Sequence, residues 1–186
     1  MNLPNKLTTF RIFLIPIFIL ILSLPLKWSS TFGHSTGWIV AAIIFAIASI
    51  TDLLDGRIAR SRHLVTNFGK FADPLADKLL VMTALIFLTR YGVVAAWITS
   101  IIVIRELAIT GLRTLIVENS GTVFAAQMPG KIKTFTQMFA IIFLYCSNFG
   151  ISFPIGQILI YLAVIFTIYS GIDYFVKNRS VFSDGM

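Results

Sequence analysis

The chain has 186 residues, of which 57% are hydrophobic and 12% charged, with a formal net charge of +7. The charged share is about half that of an ordinary soluble domain, and a mean hydropathy of +0.89 leaves too little polar surface to wrap a water-soluble helical core. A lone cysteine, Cys146, excludes an internal disulfide, and with only His34 and His63 beside it there is no zinc-type cluster.

Taken in chain order, the sequence opens on NLPNKLTTF, where Pro4 and polar residues are mixed with Leu3, Leu7 and Phe10. This reads as a short amphipathic segment lying in a membrane interface. The first apolar run covers 10–26. It is compatible with a signal peptide, but the flank KWSSTFGH lacks a small-x-small cleavage site, so it is read as a retained span. A polar loop at 27–36 leads to a second run at 37–60, and a third covers 70–89. A fourth run covers 93–117. The loop ENSGTVFAAQMPG at 118–130 closes on Pro129-Gly130, a turn signal. Two further runs cover 132–149 and 154–176. Runs of roughly 18 or more residues nearly free of charge mark helices that span a bilayer. The expectation is an all-α integral membrane protein with six transmembrane helices and a short N-terminal interfacial segment. The whole of 1–186 forms one domain.

Six spans put both termini on one side. Lys27 and Arg90 fall at loops on one face, and the other 13 of the 15 basic residues lie toward the opposite face, which makes that face cytosolic. The net charge therefore reports orientation and an anionic lipid surface rather than nucleic acid. Lys177 and Arg179 are ordinary anchors at that face.

Four of the eight acidic residues sit between Ile50 and Lys78, at the cytosolic ends of the second and third spans. Asp52 and Asp55 share one helix face, continued by Gly56 and Ala59. Two carboxylates are thus followed by two residues with almost no side chain, leaving room for a ligand against the helix. Gly69, Asp73 and Asp77 repeat the pattern on the next span at four-residue spacing. Pro74 follows Asp73, so either Asp73 caps a new helical turn or a continuous helix runs through both. The connector SRHLVTNF is short, which makes the two helices antiparallel neighbours with facing acidic stripes. Four ionised carboxylates in a low-dielectric cleft cost several kcal/mol each, on the order of a buried unpaired ion, unless neutralised. Two hard dications with oxygen ligands solve this: Mg²⁺ first, with Mn²⁺ the alternative. The competing reading is structural, with the acids paired to Arg57, Arg60 or Lys78.

The pattern Asp52-x2-Asp55-Gly56-x2-Ala59-Arg60-x8-Gly69-x3-Asp73-x3-Asp77 resembles the signature of the CDP-alcohol phosphotransferase family at every defined position. The likeness extends to chain length and span count. It implies an enzyme that moves a phosphoalcohol group from a CDP-linked donor to a hydroxyl and releases CMP. Three further stretches, NLPNKLTTFRIFLIPIF, RELAITGLR at 105–113 and GKIKTFTQ at 130–137, resemble the bacterial members that join CDP-diacylglycerol to sn-glycerol 3-phosphate. The resemblance further implies a homodimer in the bacterial cytoplasmic membrane. In its terms Asp52, Asp55, Asp73 and Asp77 hold the metals and Asp77 is the general base. Asp52, Asp55, Gly56, Ala59, Arg60, Gly69 and Asp73 surround the CDP donor.

An acceptor bearing a phosphate dianion needs a basic pocket near the carboxylates. Arg105 and Arg113 lie in the cytosolic half of the fourth span, where an arginine costs at least a few kcal/mol and so has ligand or ion-pair duty. Lys131 and Lys133 open the fifth span on the same side. The alternatives are that the arginines pair with Glu106 and Glu118, and that the lysines only anchor the helix at lipid headgroups. Three rival functions share parts of this pattern. Other family members take inositol phosphate, serine or phosphatidylglycerol as acceptor. Intramembrane prenyltransferases also hold Mg²⁺-diphosphate on aspartates, but on clusters several helices apart in a longer chain. A divalent-cation transporter predicts ligands at the bilayer midplane, open to both sides, without cationic groups nearby.

Overall fold

The computed structural model of the chain describes residues 3–24, 30–31, 34–61, 67–120 and 128–178, with side chains for 5–24, 36–52, 75–116 and 128–178. It contains six long helices: α1 Leu3–Ser23, α2 Thr36–Ser61, α3 Asn67–Arg90, α4 Ala96–Ser120, α5 Met128–Tyr145 and α6 Ile155–Lys177. One antiparallel two-residue pairing, β1 Ser30–Thr31 with β2 His34–Ser35, precedes α2. The connector at 62–66 and the loop at 121–127 fall outside the described residues, as does Arg179.

One expectation is corrected at the N-terminus. The opening residues are not a separate interfacial segment but the first turns of α1, which is continuous from Leu3 to Ser23. Pro4 falls in the first turn, where its missing N–H would be unpaired anyway. Asn5, Thr8 and Arg11 are buried rather than turned to an interface, so this end of α1 is held by polar groups inside the bundle. Of the two alternatives at Asp73-Pro74, the continuous helix is the one observed.

Among the described residues, two helical stretches, Asn5–Ser23 and Ile155–Lys177, are long and apolar enough to cross a membrane, and α2 is apolar from Thr36 to Asp52. The distribution of side chains is that of a membrane protein. Phe13, Ile104, Phe135 and Ile165 point outward and are 60% or more exposed, while Thr8, Arg11, Lys133 and Gln137 are buried. Where lipid is the solvent, the interior is stabilised by close packing and internal hydrogen bonds rather than by escape from water.

α1 packs along α2 and α3, α2 also meets α5, α4 meets α6, and α5 lies along α6. At one end of the bundle these contacts are aromatic. The Tyr145 ring meets Phe18 edge-on with centroids 5.7 Å apart and tilts against Trp38 at 5.3 Å, while its hydroxyl donates to the Ala84 carbonyl at 2.9 Å. Trp38 meets Tyr91 at 5.1 Å, and the Tyr91 hydroxyl donates to the Leu22 carbonyl at 2.7 Å. Four helices are thereby pinned, with each ring pair adding about 0.5–1.5 kcal/mol. The α3–α4 turn at this end closes with Gly92 at φ 73°. The Gly92 N–H bonds the Thr89 carbonyl and the Val93 N–H the Leu88 carbonyl, the pairing that ends helices on a left-handed glycine.

The α5–α6 connection is unusual. Ser147, Asn148 and Phe149 all have positive φ, at 48°, 54° and 57°, followed by Gly150 at 74°. Left-handed backbone costs non-glycine residues about 1 kcal/mol each. The turn persists because Asn148 ties it to α6: its Oδ1 accepts the Gly156 N–H at 2.7 Å and its Nδ2 donates to Gln157 Oε1 at 3.2 Å. Gly156 is needed there, because a Cβ would lie 2.9 Å from Leu144.

Candidate functional site

The opposite end of the bundle is polar. α1 delivers Arg11, α2 Asp52, α3 Asp77 and Lys78, α4 Arg105, Glu106, Thr110 and Arg113, α5 Lys133 and Gln137, and α6 Ser170 and Asp173. Consecutive helices separated by few residues alternate in direction. The C-terminal halves of α2, α4 and α6 therefore meet the N-terminal halves of α1, α3 and α5.

Arg11 is wholly buried. Its Nη1 stands 2.8 Å from Asp52 Oδ1, and its Nε donates to the Ala48 carbonyl at 3.3 Å. Arg11 thus ties the N-terminal half of α1 to the Asp52 end of α2. Lys78 donates to Thr110 Oγ1 at 2.5 Å, and Thr110 in turn donates to the Glu106 carbonyl at 2.6 Å. Lys133 is buried and pairs with Glu106 Oε2. Arg105 Nη1 reaches that same oxygen at 3.4 Å, and its Nη2 donates to Ser170 Oγ at 2.9 Å. Glu106 thus serves two cations. The closeness of Arg105 to α6 depends on Gly171, where a Cβ would come within 3.3 Å of the Arg105 stem.

Two clefts result. The first, about 380 Å³, is lined by Asp77, Lys78, Glu106, Lys133, Thr134 and Gln137 over a floor of Val81, Met82, Ile102 and Met138. The second, about 300 Å³, is lined by Arg105, Ile109, Arg113, Pro129, Gly130, Ser170, Asp173 and Tyr174. Arg113 lies 5.7 Å over the Tyr174 ring, and its Nε has no hydrogen-bond partner among the described residues. Adjacent residues on α4, Arg105 and Glu106, form the wall between the clefts.

The structure thus separates the four basic residues expected to hold an acceptor phosphate. Lys133 faces the first cleft, Arg105 and Arg113 face the second, and Lys131 is exposed on the outside of α5. Arg105 does pair with Glu106 as one alternative held. The side chain of Glu118 is outside the description. Of the acidic pattern, Asp52 and Asp77 are described. Asp55, Ala59, Arg60 and Gly56 lie on α2 and Gly69 and Asp73 on α3, beyond the residues with described side chains. Among the described residues no three His, Cys, Asp or Glu side chains gather closely enough to hold a metal ion. The described carboxylates, Asp52 on α2 and Asp77 on α3, are hard oxygen donors of the kind that divalent cations take.

Several site residues were not singled out from sequence. Arg11 looked like a charge at the start of a span, and its partner lies 41 residues along the chain. Gln137 and Ser170 looked like ordinary polar residues of apolar helices. The available signal for Gln137 was its four-residue spacing from Lys133, which puts both on one helix face.

Comparison with known proteins identifies the family. The family model for CDP-alcohol phosphatidyltransferases matches residues 1–169. A Bacillus subtilis (strain 168) protein named CDP-diacylglycerol–glycerol-3-phosphate 3-phosphatidyltransferase is 48% identical over 95% of this chain and 95% of its own length. A Rickettsia typhi protein of the same name is 38% identical over 97% of this chain and 99% of its own. A probable phosphatidylglycerophosphate synthase of Mycobacterium tuberculosis (strain H37Rv) is 37% identical over 95% of this chain and 81% of its own. With a family match over nearly its whole length and a polar helix-bundle end built around Asp52 and Asp77, the chain belongs to the CDP-alcohol phosphatidyltransferase family.

Proposed function

We propose that the chain transfers the phosphatidyl group of CDP-diacylglycerol to sn-glycerol 3-phosphate, giving phosphatidylglycerophosphate and CMP. The observation that carries this reading is the first cleft, where the carboxylate of Asp77 and the ammonium of Lys133 are brought together from facing helices. One end suits a hydroxyl that must lose a proton, the other a phosphate-bearing acceptor. The names and identities of the relatives support the same reaction.

In this reading Asp77 accepts the proton of the acceptor hydroxyl at a carboxylate oxygen as that hydroxyl attacks the phosphorus bearing the diacylglycerol. The new phosphorus–oxygen bond forms as the bond to CMP breaks, and CMP leaves with the bonding pair. A placed carboxylate base typically contributes 10²–10⁴-fold. Asp52, Asp55, Asp73 and Asp77 would hold two Mg²⁺ ions, whose chemistry is to neutralise the diphosphate and the departing CMP. Arg11 keeps Asp52 in place. Gly56 and Ala59 admit the cytidine, while Asp52, Asp55, Arg60, Gly69 and Asp73 line its diphosphate. Lys133 in the first cleft meets the acceptor phosphate, while Arg105 and Arg113 in the second cleft and Lys131 on the outside of α5 add positive charge to this end of the bundle. All six helices span the bacterial cytoplasmic membrane as a single domain, with both termini and the site at the cytosolic face. The acyl chains stay in the bilayer.

The test is release of CMP by purified protein given CDP-diacylglycerol, Mg²⁺ and one acceptor at a time. Glycerol 3-phosphate is expected to drive release, and chelation of Mg²⁺ to stop it. Release with inositol phosphate, serine or phosphatidylglycerol, and none with glycerol 3-phosphate, would overturn the assignment.

A further inference from the structure

Among the polar groups that line the first cleft and that the reaction above leaves unused, Gln137 is the one with an unpartnered side-chain atom among the described residues. Gln137 is 3% exposed and lines the cleft between Lys133 and the apolar floor. Its Oε1 has no hydrogen-bond partner among the described residues. A buried amide oxygen without a partner forfeits about 1–3 kcal/mol. Such a group persists where a ligand completes it.

The chemistry of that ligand follows from the neighbours. An amide oxygen accepts, so the ligand must present a donor. Lys133 precedes Gln137 by one helical turn, about 6 Å along the axis, so a molecule whose anionic end meets Lys133 brings its middle to Gln137. Asp77 lines the same cleft from α3. On the function proposed above, the reacting hydroxyl must come to Asp77, and the neighbouring hydroxyl of the acceptor is one carbon away. We infer that Gln137 is a specificity residue that accepts a hydrogen bond from the non-reacting, central hydroxyl of a polyol phosphate acceptor. This inference rests on the proposed acceptor but is separable from it. A site built around a hydroxyl rejects the analogue that lacks it, because the buried partner is then left unpaired.

The experiment compares sn-glycerol 3-phosphate with 3-hydroxypropyl phosphate, which keeps the reacting hydroxyl and the phosphate and lacks only the central hydroxyl. With wild-type protein, kcat/KM is expected to be about 10- to 100-fold lower for the deoxy acceptor. In Gln137→Leu, kcat/KM for glycerol 3-phosphate should fall by about that factor, while the value for 3-hydroxypropyl phosphate stays within about twofold, so that discrimination is lost. Equal losses on both acceptors would assign Gln137 a structural role and overturn the inference. Equal use of the two acceptors by wild-type protein would overturn it with no variant needed, which covers the case in which Gln137→Leu does not fold. If wild-type protein uses neither acceptor, the proposed reaction itself is wrong.

Discussion

Replacing Arg11 by methionine tests how the site end is held. Methionine keeps much of the side-chain volume and removes the charge. The change deletes the 2.8 Å contact to Asp52 and the bond from Nε to the Ala48 carbonyl. Removing one partner of a buried ion pair costs about 3–5 kcal/mol, because the other charge is left behind. Arg11 is fully buried, but the Asp52 side chain keeps 32% exposure, so solvent takes part of the load and the lower end, about 3 kcal/mol, applies. At about 2–4 °C per kcal/mol for a chain of this size, the unfolding midpoint should fall by about 6–12 °C. The assay is thermal unfolding in detergent or bicelles for wild type, Arg11→Met, Asp52→Asn and the double variant. Asp52→Asn removes the stranded charge, so the double variant should be less destabilised than the two single losses added together, with about 2–3 kcal/mol of coupling. Strictly additive losses would show that the two side chains do not act as a pair and would refute the reasoning.

Two further outcomes follow. Arg113→Ala removes a guanidinium from the second cleft and should raise KM for glycerol 3-phosphate by about tenfold or more while leaving that for CDP-diacylglycerol nearly unchanged, the loss of a charged hydrogen bond being worth about 1.5–3 kcal/mol. Parallel rises for both substrates in steady-state assays would make its role structural. Gly156→Ala places a methyl group 2.9 Å from Leu144 Cγ and Cδ2 and 3.0 Å from Asn148 Oδ1. It should lower stability by about 1–3 kcal/mol through overpacking, and an unchanged unfolding midpoint would contradict the close α5–α6 approach.

The six helices were legible because each is an apolar run closed by polar or turn residues, and apolar runs need no partner to be recognised. The start of α1 was misplaced for a local reason. Pro4, Asn5 and Thr8 look like a boundary until Arg11 is seen to be buried, and its burial depends on α2. The acidic pattern was legible because its spacing lies within two adjacent helices. The pairing of Arg11 with Asp52 was not, because nothing in the sequence near either residue encodes a contact between α1 and α2. Lys131 and Lys133 were grouped as equals. Residues two apart lie about 200° apart around a helix, and one is exposed while the other is buried against Glu106. Periodicity alone foretold that separation. That Glu106 binds both Lys133 and Arg105, dividing the basic residues between two clefts, was not legible, because Lys133 lies 27 residues beyond Glu106 on another helix.

The left-handed turn at Ser147–Gly150 bears on how the molecule is made. Its bonds are local: the Asn148 side chain bonds Gly156 and Gln157, and its carbonyl accepts from the Ile151 N–H. α5 and α6 can therefore find one another without help from the first four helices. In a membrane that receives a growing chain from its N-terminus, these last two helices form a hairpin with its own clasp. They are able to enter as one unit and then close the bundle against segments already in place. Asn148 would thus matter first to biogenesis, at the end of the molecule remote from the chemistry.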